Sequence, residues 1–438
     1  MHTTSEPIRE LVVAAAHCRP RLLRTSFEGG ADVEGLAEYR NGGGYRRLES
    51  ADALLAEIER SGLLGRGGAA FPLGTKLRSV RDAGRRGRTP VVVANGEEGE
   101  PASAKDKWLM RHRPHLVLDG ARLAAHLIAA ETVHLYVSDA ESARRITEAM
   151  AELDESTLAG LTVGVRTVEP GYVAGEETAA VRALNGGPAL PSDKPPRPFQ
   201  HGVDGRPTAV SNVETLANLP FLHSHGGEEF RTEGTERSSG TILATLTGAG
   251  LPPALYELPL GIPFTEVLAL HGVAATSVRG VLMGGYFAGL LNRDILDATL
   301  DHETLRGLGS GLGCGAISLL TTECPVAVAA SVLTYFDREN AGQCGSCFNG
   351  TAAMAAAARG LRDGLATAED LTRLERWSVV LRGRGACATL DGAANIAASL
   401  LSRFPDEVAR HLETPCQNCR SGAFDAARPY EVEAVTHP

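Results

Sequence analysis

The sequence lacks the features that mark several specialised classes of protein. Its longest apolar stretches, such as residues 325–333, are broken by Ser or Thr and are shorter than the roughly 18 residues that a membrane span needs. A net charge of −10 lacks the basic excess that nucleic-acid binding requires. The N-terminus has neither the basic start nor the long apolar centre of a secretion signal. We therefore expect a cytoplasmic protein with no membrane span and no nucleic-acid partner.

Cysteine is also scarce, with 8 residues among 438. This density is far below that of a disulfide-stabilised scaffold, and in a cytoplasmic protein clustered cysteines more often indicate metal or redox chemistry. The cysteines are Cys18, Cys314, Cys324, Cys344, Cys347, Cys387, Cys416 and Cys419. Most of them lie near the C-terminus, so we expect any metal or redox chemistry of the cysteines to be in that part of the chain.

What the sequence does contain is typical of a globular protein, with 43% hydrophobic and 22% charged residues. Its length predicts about three packed units. Strands and helices alternate over residues 50–220, which predicts an α/β layer with a largely parallel sheet. The predicted strands are 90–94, 133–137 and 161–168, and the predicted helices are 51–60, 113–130 and 140–153.

The residue composition and periodicity of the sequence change twice after this α/β region. Residues 190–207 are rich in proline and predict an extended surface loop. Short segments separated by glycine turns then predict a small β-rich module, and Ala- and Leu-rich helical spacing predicts a helical bundle with helices at 350–361, 368–381 and 393–404. The predicted units are a lead-in (1–50), an α/β domain (51–238), a β module (239–325), a bundle (326–410) and a tail (411–438).

Four motifs in the α/β region suggest a phosphorylated cofactor. The glycine-rich segment 65–76 carries Arg and Lys, and backbone N–H groups of such a loop can wrap a phosphate. Segment 95–101 places an amide and three carboxylates at the end of a strand, where open α/β sheets bind ligands. Segments 171–178 and 207–215 add Glu, Thr, Ser and Asn side chains. Each motif alone is also compatible with an ordinary turn or a solvated loop.

Two cysteine patterns follow. Cys344 and Cys347 form a Cys-x2-Cys pair, with Cys387 further along the chain, and this spacing occurs in iron–sulfur and zinc sites. Cys416 and Cys419 form a second pair. The alternative is that these are buried free thiols that act as small apolar side chains.

Together, in this order and with these gaps, the motifs resemble the NADH-binding flavoprotein subunit of respiratory complex I and its relatives in NAD-linked hydrogenases and formate dehydrogenases. The resemblance covers roughly residues 35–405. It implies a Rossmann-like FMN-binding α/β domain, a small β-grasp module of the ubiquitin-like, soluble-ligand-binding type, and a C-terminal helical bundle with a 4Fe–4S cluster. It also implies hydride transfer from NADH to FMN and onward electron transfer to an iron–sulfur or ferredoxin-like partner in a hetero-oligomer.

The resemblance further implies roles for individual residues. The residues expected to hold FMN are Gly65, Arg66, Gly67, Lys76, Asn95, Glu97, Gly175, Glu176, Asn212 and Thr215. Those expected to contact the dinucleotide are Phe71, which would stack on adenine, and Glu98, Glu100, Glu177 and Lys194. Glu97 and Tyr172, beside the flavin, are the candidate catalytic residues. Cys344, Cys347 and Cys387 are the expected cluster ligands.

The sequence also departs from the family pattern. Glu97 stands where the family has Asp, Ser211 replaces an Asn, and Ser79 and Arg197 stand at positions that commonly hold Phe. Arg197 could grip the 2′-phosphate of NADPH, but the Glu177 carboxylate would repel that phosphate, so we expect NADH to be preferred. Ala341 replaces the first cysteine of the cluster motif, and a methyl group cannot bind iron.

The missing ligand leaves several interpretations open. The cluster could be completed by Cys416, Cys419 or a non-cysteine ligand, could contain three irons, or could be absent, and Cys416 and Cys419 could instead bind a separate metal. The main hypothesis is an NAD(P)H-oxidising flavoprotein that passes electrons to a cluster. The alternatives are a cluster-free FMN diaphorase that reduces quinones or dyes, and a degenerate subunit that keeps only a structural role.

Overall fold

The fold is taken from a computed structural model that describes residues 11–24, 26–158, 160–413, 416–420, 424 and 426–432. Within these residues the strands are β1 (Val12–Ala15), β2 (Val91–Asn95), β3 (Thr132–Val137), β4 (Thr162–Thr167), β5 (Thr208–Asn212), β6 (Thr241–Gly248), β7 (Ala254–Pro259), β8 (Gly280–Met283), β9 (Leu290–Leu291) and β10 (Ala316–Leu320).

The helices in the N-terminal half of the described chain are α1 (Leu36–Asn41), α2 (Ala51–Ser61), α3 (Leu73–Arg85), α4 (Lys105–His112), α5 (Pro114–Ile128), α6 (Ala140–Ala151), α7 (Glu155–Leu158), α8 (Glu177–Leu184), α9 (Val213–Ala217) and α10 (Leu219–Phe230). Those in the C-terminal half are α11 (Phe264–Leu270), α12 (His302–Gly307), α13 (Pro325–Glu339), α14 (Gly345–Arg362), α15 (Ala368–Val380), α16 (Thr389–Arg403), α17 (Pro405–Glu413) and α18 (Gln417–Arg420). None of the described helices is long and apolar enough to cross a membrane.

A four-stranded parallel sheet with the order β4-β3-β2-β5 lies in the first half of the chain. Its central strand β2 begins with three buried valines, as expected for a parallel strand covered on both faces. The predicted parallel α/β layer is confirmed, and the three predicted strands end within one or two residues of the observed bounds. The proline-rich segment contains no regular strand or α-helix, as predicted.

A second, mixed sheet has the order β1-β7-β6-β10-β8-β9. β6 and β7 are antiparallel, whereas β10 runs parallel to β6 and antiparallel to β8. Strand β1 comes from the lead-in segment and pairs in parallel with β7. The buried Glu257 carboxylate of β7 accepts backbone N–H bonds from Leu22 and Leu23, both at 2.9 Å, which fastens the lead-in to this sheet. The sequence did not predict this pairing, because β1 is short and only partly buried.

The C-terminal helices α13, α14, α15 and α16 pack against one another around buried apolar side chains. Gly350 of α14 allows close approach, since a Cβ there would lie 2.8 Å from the Leu381 side chain. Both sheets and these helices leave a cleft at the carboxyl edge of the parallel sheet. There, Asn95 at the end of β2 lies in register with Asn212 at the end of β5.

Helix α5 approaches α9 closely at Gly120, and α9 starts directly after Asn212 at the cleft. A Cβ at Gly120 would overlap the backbone carbonyl of Leu216. We therefore expect Gly120→Ala to destabilise the protein by about 1–3 kcal/mol through overpacking, measured as a fall of several degrees in the unfolding temperature. The control is Gly307→Ala, where a Cβ meets no atom within 4 Å. Equal unfolding temperatures of the two variants would contradict this packing.

Candidate functional site

The cleft has a volume of about 890 Å³, near the upper end of the range for ligand pockets. It lies at the carboxyl ends of the parallel strands, as expected for an open α/β sheet. The structure brings most of the predicted site residues together on its walls: Gly65, Gly67, Phe71, Lys76, Asn95, Glu97, Glu98, Glu100, Tyr172, Gly175, Glu176, Glu177, Lys194, Asn212, Thr215 and Cys387.

Two glycines on the cleft wall lie close to side chains of neighbouring motifs. A Cβ on Gly67 would lie 3.0 Å from the Asn212 side chain, and a Cβ on Gly175 would lie 2.6 Å from the Glu97 carboxylate. The Asn95 amide donates a hydrogen bond to the Gly175 carbonyl at 2.8 Å, which holds the two motifs together. The glycines therefore keep backbone close to the ligand space, which suits a planar ring and its phosphate.

Arg66 is placed differently from the other members of the glycine loop. Its buried guanidinium donates to the carbonyls of Ser239 (3.3 Å) and Thr241 (2.9 Å), and its side chain is not among the described residues that line the cleft. Its backbone N–H donates to the Thr215 hydroxyl at 2.8 Å. Arg66 thus ties the loop to the mixed sheet. Lys76 lines the cleft and donates to the Val210 carbonyl at 2.7 Å, and burial lowers its pKa.

Glu97 is a buried carboxyl on the cleft wall. The Ser138 hydroxyl donates to its Oε1 at 3.4 Å, whereas Oε2 has no hydrogen-bond partner among the described residues. Burial raises the pKa of Glu97 to about 8, so the carboxyl is protonated at neutral pH. An O–H group is therefore available at the cleft, which fits a heteroatom of a bound ring.

The other two carboxylates of this motif already have partners. Glu98 accepts hydrogen bonds from the Ser103 hydroxyl (2.5 Å) and from the backbone N–H groups of Asp106 (3.2 Å) and Lys107 (2.9 Å) at the start of α4. Glu100 accepts a bond from the backbone N–H of Tyr286 at 2.9 Å, and burial raises its pKa to about 7. Both residues line the cleft while supporting the protein backbone.

A buried charge network that the sequence did not predict lies beneath the cleft. The Lys105 ammonium lies 2.7 Å from Asp106 Oδ1 and 2.9 Å from Glu214 Oε2. The Asn212 amide donates to Asp106 Oδ2 at 2.6 Å. Burial would lower the pKa of Lys105, but the neighbouring carboxylates outweigh it and raise that pKa. The only hint in the sequence was that Lys105 and Asp106 follow the acidic motif by a few residues, which does not indicate their partners.

The mouth of the cleft carries paired charges and an aromatic ring. The Glu176 carboxylate accepts backbone N–H bonds from Thr178 (2.7 Å) and Ala179 (3.2 Å), and it pairs with Lys194 at 2.6 Å. Arg197 lies 3.6 Å from the Glu177 carboxylate, so its charge is partly compensated. Phe71 is 48% exposed, which leaves a ring face available for stacking.

Tyr172 lies deeper on the cleft wall. Its ring makes edge contacts with Tyr335 and Phe336, with centroids 5.7 and 5.2 Å apart. Burial raises the pKa of its hydroxyl well above the ordinary value, so Tyr172 stays neutral. It therefore offers a fixed aromatic surface beside the ligand space.

A small cavity next to the cleft holds the three expected cluster ligands. Cys344, Cys347 and Cys387 line it together with Ala341, and Cys387 also lines the large cleft. The Ala386 N–H donates to Cys344 Sγ at 3.4 Å. Among the described residues that line this cavity there is no fourth Cys, His or carboxylate. The donor set therefore fits an iron–sulfur cluster at three positions, with a methyl group near the fourth.

The remaining cysteines lie elsewhere. Cys416 and Cys419 join Cys324 and His411 in a separate group, not the cavity at Ala341. Cys314 lines the large cleft, and the Cys18 thiol donates to the backbone oxygen of Glu257 at 3.4 Å. All eight thiols are free.

Family comparisons agree with this arrangement. Residues 58–221 match the model of the Nuo51 FMN-binding domain, and residues 327–411 match the NADH-ubiquinone oxidoreductase-F iron–sulfur binding region. The first match covers the glycine loop and the carboxyl edge of the parallel sheet, and the second covers the three-cysteine cavity.

Several relatives resemble most of the chain. The F 2 polypeptide of the NADH-quinone oxidoreductase of Rhizobium meliloti is 33% identical over 86% of this chain and 94% of its own length. The mitochondrial NADH dehydrogenase [ubiquinone] flavoprotein 1 of Dictyostelium discoideum is 32% identical over 85% of this chain and 81% of its own length. An NAD+-reducing [NiFe]-hydrogenase chain superposes with a TM-score of 0.76 and 30% identity over 84% of this chain, which spans 64% of the hydrogenase chain. The chain thus belongs to the family of NADH-quinone oxidoreductase F polypeptides.

Proposed function

We propose that this protein oxidises NADH with FMN bound in the 890 Å³ cleft and passes the electrons, through an iron–sulfur cluster, to a redox partner in a larger complex. The observation that carries the proposal is Cys387, which lines both the cleft and the three-cysteine cavity. FMN accepts a hydride as an electron pair, and the cluster supplies a one-electron outlet. Because Cys387 lines both spaces, the protein would hold the two groups close together.

Different residues of the cleft would bind different parts of FMN. The loop backbone at Gly65 and Gly67, the Lys76 ammonium and the Asn212 and Thr215 side chains would hold FMN. Asn95 and Gly175 would keep the ring plane in place, with Arg66 and Glu176 supporting the loops from behind. The protonated Glu97 would donate a hydrogen bond to the ring, and Tyr172 would shield its edge from water.

The dinucleotide would enter from the mouth of the cleft. Phe71 would stack on adenine, and Glu177 and Lys194 would contact the ribose and phosphates. Glu98 and Glu100 would shape this wall mainly through their bonds to backbone N–H groups. The Glu177 carboxylate, which lies 3.6 Å from Arg197, would face the ribose and favour NADH over NADPH.

We also propose the finer domain division: a lead-in (1–50), a Rossmann-like domain at 51–238, a β-grasp module at 239–325, a helical bundle at 326–410 and a tail from 411. Separate apolar cores beneath the two sheets and among the C-terminal helices support this division. The partner would be an iron–sulfur or ferredoxin-like protein. Eight free thiols support a reducing, cytoplasmic location.

Ala341 favours one alternative, a cluster-free FMN diaphorase that reduces quinones or dyes directly. In that case the three thiols would remain as apolar lining and electrons would leave from the flavin. Iron analysis of anaerobically purified protein separates the two functions.

For the cluster, we expect Cys387→Ser to lose most of its iron and acid-labile sulfide, because only two thiolates would remain. Ala341→Cys would supply a fourth thiol and is expected to retain more iron after exposure to air than the wild type. Cys18→Ser is the control and should leave iron content unchanged. Near-zero iron in repeated wild-type preparations would contradict the cluster-dependent function and support the diaphorase.

For Glu97, the pKa of about 8 in the folded protein lies above its ordinary value of 4.5. The native state therefore holds a proton that the unfolded chain releases, and stability falls as pH rises through this window, by at most about 1.4 kcal/mol per pH unit. Glu97→Gln should remove the Glu97 contribution to this slope and leave that of Glu100, whose pKa is also raised. Unfolding temperatures measured across the window, with the exposed Glu131→Gln as control, test it. Parallel profiles for wild type and Glu97→Gln would show that Glu97 is ionised throughout.

For dinucleotide choice, we expect the wild type to have the higher kcat/KM with NADH. Glu177→Gln removes the carboxylate that repels a 2′-phosphate and should raise kcat/KM for NADPH about tenfold, equivalent to about 1.4 kcal/mol. Rates with NADH should change far less. Glu228→Gln, on the exposed surface of α10, is the control. An unchanged NADPH-to-NADH ratio would place the ribose away from Glu177.

A further inference from the structure

Three side chains near the C-terminus lie close to Cys324, at the start of α13. The sulfurs of Cys324, Cys416 and Cys419 and a ring nitrogen of His411 all lie within 4.8 Å of one another. His411 Nε2 is 3.5 Å from Cys324 Sγ and 3.3 Å from Cys419 Sγ. Cys324, Cys416 and Cys419 lie outside both segments that match family models, so the family likeness does not account for this cluster.

The orientation of His411 leaves a lone pair for a metal. Its Nδ1 lies 2.7 Å from the backbone oxygen of Glu407, one helical turn earlier. A carbonyl oxygen only accepts hydrogen bonds, so Nδ1 carries the proton and neutral Nε2 presents its lone pair to the sulfurs. This is the outer hydrogen bond by which metal-binding histidines are usually held in one tautomer.

The spacing fits a single ion. In a tetrahedral site with Zn–S bonds of about 2.3 Å, neighbouring sulfurs are about 3.8 Å apart. The four ligand atoms here all lie within 4.8 Å of one another, which is compatible with that spacing. A 4Fe–4S cluster would need its ligands farther apart, because each binds a different iron. Three cysteines and one histidine with no open position form a donor set typical of structural zinc.

We propose that Cys324, His411, Cys416 and Cys419 bind one Zn²⁺ ion that holds the C-terminal segment in place. Binding converts the three thiols to thiolates and releases their protons to solvent, with no redox change. Cys324 precedes α13, His411 belongs to α17, and the Cys-x2-Cys pair lies at α18. The ion would therefore join the start of α13 to α17 and α18, since Cys324 and His411 are 87 residues apart in the chain.

The segment beyond this cluster returns to the back of the cleft. The Tyr286 hydroxyl donates to the Pro429 carbonyl, and the Val432 N–H donates to the Pro101 carbonyl at 3.0 Å. Tyr286 and Pro101 flank Glu100, since Tyr286 N–H donates to the Glu100 carboxylate and Pro101 follows Glu100 in the chain. By holding the C-terminal segment, zinc would thus stabilise its contacts with Tyr286 and Pro101, which flank Glu100 on the cleft wall.

The test is metal analysis of the full-length protein, grown with zinc and dialysed against a weak chelator. We expect about one zinc per chain, independent of flavin and iron content. Replacement of zinc by Co²⁺ should give the visible absorption bands of a tetrahedral thiolate site. Absence of bound zinc, absence of those bands, or iron in place of zinc in the wild type would overturn the proposal, and none of these depends on a variant that folds.

Variants localise the ion. Cys416→Ser and Cys419→Ser should lose most of the zinc, His411→Cys should retain it as a four-cysteine site, and Cys18→Ser should match the wild type. Cys387→Ser should lose iron but keep zinc, so failure of the cluster function is distinguishable from failure of this proposal. In Cys419→Ser, hydrogen exchange should increase at residues 426–432. Zinc that persists at full stoichiometry in both Cys416→Ser and Cys419→Ser would place it elsewhere.

Discussion

The buried contact between the Lys105 ammonium and the Glu214 carboxylate joins the parts of the protein that form the cleft. Lys105 starts α4, and Glu214 lies in α9 directly after β5. The other oxygen of Glu214 accepts the Leu243 N–H of β6 at 3.0 Å, so the same carboxylate reaches the mixed sheet. A buried charge is costly unless it is paired and hydrogen-bonded. Because Glu214 contacts both Lys105 and the backbone of β6, this buried pair links the α/β layer to the mixed sheet.

The arrangement of the cleft follows from this constraint. Because α4 and α9 start beside each other, their first turns bring Asp106 against Asn212 and Glu98 against the N-terminus of α4. The glycine loop passes close to Asn212, since a Cβ on Gly67 would lie 3.0 Å from that side chain. Cys387, on the segment before α16, lines both the cleft and the cysteine cavity. The proposed electron path would be short because Cys387 lines both spaces.

Much of this could be predicted from the sequence. The parallel strands follow from continuous apolar runs that end in polar motifs, and carboxyl ends of parallel strands meet at one edge. The joint order of the motifs indicated the family, and most of the named residues do line the cleft. The strand of the lead-in and the partners of Lys105 could not be predicted, because both depend on contacts between residues far apart in the chain. The direction of the Arg66 side chain was equally hidden, since a glycine loop allows it to face either sheet.

The cysteines separate the two kinds of information most clearly. The primary structure showed that Ala341 cannot bind iron and that Cys344, Cys347 and Cys387 keep the spacing of a cluster motif, since these depend only on residue type and order. It left open whether Cys416 and Cys419 complete that motif. Folding decided this by placing them with Cys324 and His411, because α13 and α17 pack side by side and bring the start of one helix to the end of the other. Ligand sets are defined by distances in space, and sequence spacing constrains these only within a single turn.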